Sequence, residues 1–264
     1  MARYDDIIDA IFRERYTKGA TAIVFTRNDL EQKAKALGFK PPKNLGDIIY
    51  TYKYRKRLPD GIANTAPQGF HWRIRNVGVA RHEFVLTPGG EFIEPDAMLV
   101  TTKIPDATPS IVKKYSISDE QALLAIVRYN RLIDIFTGVA CYSLQSHLRT
   151  TVEGIGQIEA DEIYVGVDRG GRQYIIPVQA KGGGDRLGIS QIEQDLALCA
   201  EKYPSLICRS IACQFIANDV IALFEFSTEE DRVVKIAERH YRVVEAAAIG
   251  TGELQAYRSA EDLP

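Results

Sequence analysis

The 264 residues predict a mixed α/β (α+β) chain in two parts: a small N-terminal unit of helices with a β-ribbon, and a larger C-terminal unit whose mixed sheet is flanked by helices. Three observations lead there. Residues 1–87 hold 16 Lys and Arg against 9 Asp and Glu, while the remainder holds 17 against 26, so the net charge of −2 conceals a basic third joined to an acidic rest. Pro and Gly then crowd residues 88–117, which reads as a connector. Beyond 118 the hydrophobic rhythm changes to one helical run, three strand-like runs, a second helical run and two further strands.

In the N-terminal part, Tyr4–Arg15 carries Ile7, Ile8, Ile11 and Phe12 at helical spacing. Thr21–Phe25 is a short β-prone run. Thr26-Arg-Asn-Asp then supplies helix-start chemistry for a helix through Leu37, which Gly38 ends and Pro41-Pro42 keeps from extending. Asn44 caps a third helix, Leu45–Tyr54, with Ile48, Ile49 and Tyr52 as its inner face. Phe70–Val79 and Glu83–Leu86 form a ribbon. This order resembles a winged helix-turn-helix, a DNA-binding module whose last helix enters the major groove. The resemblance implies contacts to DNA from Thr51, Tyr52, Lys53, Arg55 and Arg57 around the third helix. His71, Arg73 and Arg75 would reach the duplex from the ribbon. The basic charge of this part is what a polyanionic partner requires.

In the C-terminal part, Ser118-Asp-Glu-Gln opens a helix that runs through Ala122–Phe136 to Gly138. Ala140–Val152, Gln157–Val167 and Gln173–Ala180 are strands joined by Glu153-Gly-Ile-Gly and Asp168-Arg-Gly-Gly-Arg. A helix at Ile189–Ala200 and strands at Ile207–Ile216 and Val220–Phe226, joined at Asn218-Asp219, complete the pattern.

The chemistry gathers on the second and third strands. Side chains alternate along a strand, so Glu159 and Asp161 share one face and Gln179 and Lys181 share another row, beside them if the strands pair. Two carboxylates, an amide carbonyl and an ammonium at one sheet end suit a hard cation such as Mg²⁺ and a phosphate. Gly182-Gly183-Gly184 after the lysine removes side-chain bulk. The stretches IEADEIYVGV and IIPVQAK, in their helix–β–β–β–helix–β setting, resemble the active-site strands of the PD-(D/E)xK nuclease superfamily over residues 118–226. With the N-terminal module, the whole resembles a type II restriction endonuclease.

That resemblance implies a Mg²⁺-dependent, sequence-specific endonuclease acting on double-stranded DNA. Asp161 would be a metal ligand, Gln179 would stand where the family carries Glu or Asp, and Lys181 would be the catalytic lysine. Asp161-Glu162 leaves the register open, so Glu162 is an alternative ligand, with Glu159 in support. An acid from the preceding helix or turn could come from Glu120, Asp134 or Glu153. Arg186 would touch DNA. A palindromic target would require a homodimer. A repair, resolvase or modification-dependent nuclease is an alternative, as is a DNA-binding regulator that lost catalysis through Gln179. The literal PD dipeptides at Pro59, Pro95 and Pro105 have no partner on a core strand and read as turns.

No apolar run approaches the roughly 20 residues of a membrane helix, and the first residues lack a signal-peptide core, so a cytoplasmic protein with no membrane partner is expected. Cys141, Cys199, Cys208 and Cys213 lack metal-ligand spacing and read as reduced thiols.

Overall fold

A computed structural model of the chain describes residues 2–90, 92–115, 119–182, 186–216, 219–229 and 232–259. Ser118, Gly183, Gly184 and Asn218, assigned above to a helix start, a glycine run and a strand connection, lie outside the described residues. The chain forms two compact units, one of residues 1–94, 149–159 and 185–201, the other of residues 95–148, 160–184 and 202–264. The sequence boundaries at 87 and 117 differ from this division, because two later segments count with the first unit.

The first unit starts with α1 (Ala2–Arg15), β1 (Ala22–Thr26) and α2 (Arg27–Ala36). Thr26 and Asp29 form a reciprocal capping box, which fixes where α2 starts. Next come α3 (Gly46–Tyr50), a π-helical turn at Thr51–Arg55, and α4 (Asp60–Ala63). β2 (Phe70–Asn76) and β3 (Arg81–Pro88) pair antiparallel, and β1 joins β3 to give the order β1-β3-β2. Ile7, Ile8, Ile11 and Phe12 are buried on α1 as their spacing predicts. Phe12 meets Trp72 and Phe84 edge-on at 5.1 and 5.2 Å. Each such side chain contributes about 1.5–3 kcal/mol by leaving water. The third helix departs from expectation. Thr51 Oγ1 donates back to the Asp47 carbonyl, and the helix widens into the π turn, so Tyr52 and Lys53 both point inward.

The connector contains more structure than its composition suggests: β4 (Phe92–Ile93), β5 (Thr101–Pro105) and α5 (Ser110–Tyr115). In the second unit, α6 (Asp119–Tyr129) and α7 (Leu132–Thr137) replace the single expected helix. The break falls at Asn130-Arg131, where Arg131 is left-handed (φ 51°) and the Asn130 side chain bonds to Ala107 and Thr108.

The large sheet holds β6 (Ala140–Val152), β7 (Gly156–Val167), β8 (Gln173–Lys181), β11 (Ser210–Ile216), β12 (Val220–Glu229) and β13 (Arg232–Val244). With β5 its order is β5-β13-β12-β11-β8-β7-β6. β8 runs parallel to β11 and antiparallel to β7, which makes the sheet mixed. On one face Leu123, Leu124 and Val127 of α6 pack with Tyr164, Ile176, Val178 and Ala180. A two-residue β9 (Leu187–Gly188), α8 (Ile189–Lys202), a two-residue β10 (Ile207–Cys208) and α9 (Thr251–Ser259) complete the elements. Among the described residues, no helix is long and apolar enough to cross a membrane.

Candidate active site

Two neighbouring core strands build the site. Across β7 and β8, Glu162 lies opposite Val178 and Tyr164 opposite Ile176. Residues opposite one another in a ladder share a face. Glu162 therefore belongs to the helix-covered face, and Asp161, Gln179 and Lys181 belong to the other. The open register of Asp161-Glu162 resolves into one acid on each side of the sheet.

Asp161 turns toward β8, where its Oδ2 accepts the Ala180 backbone N–H at 2.8 Å. Gln179, the residue before, is buried. The Lys181 ammonium lies 3.3 Å from Glu120 Oε1 at the start of α6. Burial raises the Asp161 carboxyl above its ordinary value, and the charge of Glu120 raises it further; the Ala180 N–H, Lys181 and His147 pull the other way. His147 is left-handed in the middle of β6 (φ 50°), and its Nε2 lies 2.8 Å from the Gln121 amide nitrogen. Asp161, Glu120 and Lys181 thus gather where β7, β8 and the first turn of α6 meet, and Gln179 stands two residues before the lysine on the same row of β8.

Glu162 has a different job. It is fully buried, and its Oε1 accepts from Arg128 Nη2 at 2.7 Å and Ser143 Oγ at 2.7 Å. That ion pair ties α6 to β7, so Glu162 does not join Asp161. Glu159 accepts from Arg149 Nε at 3.0 Å. Asp134 caps the Cys141 N–H at 2.9 Å and pairs with Arg131, and the Glu153 N–H donates to Glu201 at 2.7 Å. Of the three acids offered as helix or turn partners, Glu120 is the one beside Lys181. Sequence reasoning missed the Arg128–Glu162 pair; the available signal was an arginine four residues after buried Leu124, at the edge of the apolar face of α6.

Among the described residues, no three His, Cys, Asp or Glu side chains stand together as a ready metal cage. The acids that do approach one another are Asp161 and Glu120, and Gln179, on the strand beside Asp161, adds an amide, so the donors on offer are oxygens. Such a set fits Mg²⁺, which keeps several of its waters and takes few protein ligands. A cation would also offset the burial, and with it the nearby charge of Glu120, that raises the Asp161 carboxyl.

The residues assigned to DNA on the first unit divide sharply. Tyr52 is buried and donates to Asp5. Lys53 is 6% exposed, and burial, with Arg73 nearby, lowers its ammonium to about 8. Arg73 is 7% exposed and grips Glu193 with two guanidinium nitrogens. Thr51 is bonded to its own helix, His71 Nδ1 lies 2.6 Å from the Gly89 carbonyl, and Arg75 pairs with Glu83 while staying half exposed. The Arg55 side chain lies outside those described. Tyr52, Lys53 and Arg73 are therefore core residues, because the π turn and the tight ribbon turn them inward. Arg57 and Arg186 are exposed and, although 129 positions apart, line one cavity of about 320 Å³ with Lys56 and Phe92. Comparison with protein-family models, curated proteins and solved structures returns no match, so the geometry of the site stands on its own.

Proposed function

We propose that this chain is a Mg²⁺-dependent, sequence-specific endonuclease of double-stranded DNA, of the restriction-endonuclease kind. One observation carries the proposal: a desolvated aspartate, Asp161, is held across two core strands beside Gln179 and Lys181, with Glu120 at the lysine's other side. Structural ion pairs at a sheet end have no need of a partly buried acid whose ionised form is disfavoured. Sites that bind cations and phosphates do.

Asp161 and Glu120 would hold the cation, with the Gln179 carbonyl as a third oxygen. Bound Mg²⁺ supplies charge that polarises a phosphoryl oxygen and acidifies water. Lys181 does the rest of the electrostatic work. Its ammonium orients the attacking water and hydrogen-bonds the phosphoryl oxygens as negative charge builds on them. The water oxygen forms the new P–O bond, the bond to the leaving sugar oxygen breaks, and that oxygen takes up a proton.

In the first unit, the order helix–strand–helix–helix–ribbon and the strand order β1-β3-β2 support a winged helix that holds duplex DNA. Exposed Arg57, Arg75 and Arg186 supply its phosphate contacts. A homodimer follows if the target is palindromic. A second reading, a DNA-binding regulator without catalysis, is favoured by one residue: Gln179 brings no charge where an acid would strengthen cation binding.

Incubation with unmethylated phage DNA, with and without Mg²⁺, tests the proposal. Discrete fragments that need Mg²⁺ are expected. Intact DNA, with plain, branched and methylated duplexes all uncut, would favour the regulator.

A further inference from the structure

The first unit contains a second cavity, of about 510 Å³, that the proposed cleavage chemistry does not use. Asn44, Tyr50 and Lys53 border it from the region of α3, Asn76 and His82 from the ribbon, and Gln157 from the β6–β7 hairpin. Its volume lies in the range of small-molecule sites. Its lining differs from that of the cavity holding Lys56, Arg57 and Arg186. Three amides, an imidazole and a half-exposed tyrosine ring dominate, and the two charged borders, Asp47 and Lys53, are of opposite sign. A phosphate would find no excess of positive charge here. A flat, neutral group with hydrogen-bonding edges would find both donors and a ring to lie against.

The hydrogen-bond pattern sharpens this. Asn76 and His82 are cross-strand partners, and His82 Nδ1 lies 2.9 Å from Asn76 Oδ1. With Nδ1–H donating to that oxygen, the imidazole keeps Nε2 as an acceptor and Asn76 keeps its amide nitrogen as a donor. Burial, with Lys53 and Arg27 nearby, lowers the His82 imidazole to about 4, so this neutral form persists at pH 7. Asn44 Oδ1 accepts the Gly46 N–H at 3.1 Å, which leaves its amide nitrogen as another donor. Adjacent donors and acceptors beside an aromatic ring are what the edge and face of a nucleobase require.

We propose that this cavity takes one unpaired nucleobase of the bound DNA, an inference that rests on the DNA-binding part of the proposed function. A helix lying along a groove reads bases with a convex surface. A concavity beside it must instead be entered, and a base turned out of the stack is the part of DNA that projects. Extrusion costs least at a mismatch or lesion, so the cavity would favour such sites.

The test compares affinity for a fully paired duplex with affinity for the same duplex carrying one mismatched, unpaired base, in the presence and absence of free nucleosides. The wild type is expected to prefer the mismatched duplex about tenfold, with millimolar nucleoside eroding that preference. Asn76→Ala should bring the ratio toward one. Gln157→Ala, at an exposed position where folding is not at stake, should reduce it as well. Arg57→Ala combined with Arg186→Ala should weaken binding to both duplexes and keep the ratio. A wild-type ratio of one, or a ratio untouched by both pocket variants, overturns the inference and leaves DNA binding standing. Sequence preference altered only on paired duplexes overturns it too, in favour of reading in the groove. If neither duplex binds, the DNA-binding reading fails and this inference with it.

Discussion

At Asp161 the carboxylate accepts a backbone N–H from the next strand and is disfavoured in its charged form, while at Glu162 the carboxylate is clamped by an arginine and a serine. These two neighbours predict opposite mutational behaviour. Asp161→Asn removes a charge the fold does not want, so stability should hold or rise while cleavage is lost. Changes at the Arg128–Glu162 pair should be structural, and asymmetric. Glu162→Ala leaves Arg128, whose side chain is 43% exposed, free to rehydrate, for a cost of about 1–3 kcal/mol. Arg128→Ala leaves a wholly buried acid without its cation, for a cost of about 3–5 kcal/mol. Urea unfolding of both variants measures the two costs; a Glu162→Ala cost equal to or above that of Arg128→Ala would contradict this role of the pair. The pH dependence belongs to His82 and has a definite sign. Its folded value of about 4 lies below the unfolded value of about 6.5, so its contribution is full above pH 6.5 and lost as pH falls through 4. Trp72, the single tryptophan, lies in the first unit's core and reports that loss by fluorescence; His82→Gln should flatten it.

The strands are legible in the sequence because alternation and turn residues mark them, and β7 and β8 lie within a residue of their expected ends. The lysine and the amide two residues before it are legible for the same reason. Alternation does not show which of Asp161 and Glu162 faces the site, since that depends on a cross-strand register made by residues far apart in the chain. The third helix reads with a period of 3.6, but the π turn at Thr51 rotates the side chains beyond it, and no composition signal announces that turn. β13 escapes a sequence reading because its RVVKIAERHYRVV mixes charges into both rows, and α9 because it buries nothing among its described side chains. With Lys53 buried, DNA affinity in the first unit should depend on Arg57 and Arg186 instead. Replacing both with Ala should weaken binding and lower the salt slope by about 2. Unchanged affinity and slope in the double variant would remove this cavity from DNA binding.

For the molecule as a whole, chain order and compact units do not coincide. The chain leaves the first unit at 95, returns at 149 and again at 185, and one of those returns supplies Glu193 to buried Arg73. A fragment ending at residue 94 should therefore unfold more readily than the same unit in the full chain, because its buried arginine loses its carboxylate. A fragment with an unfolding midpoint equal to that of the full chain would show the later segments to be dispensable. Residues 1–87 are basic, but the first unit as it folds also takes acids from residues 88–94, 149–159 and 185–201 and holds 18 Lys and Arg against 17 Asp and Glu, so its affinity for polyanions would rest on where its exposed arginines stand and not on its net charge. The proposed cleavage chemistry belongs to the second. The most direct measurement of the central claim is Lys181→Ala assayed in parallel for Mg²⁺-dependent cleavage and for binding to the same duplex. Cleavage should be abolished while affinity stays within a few-fold of wild type. Full retained cleavage would contradict the claim, because an ammonium 3.3 Å from Glu120 would then be no more than half of a structural ion pair.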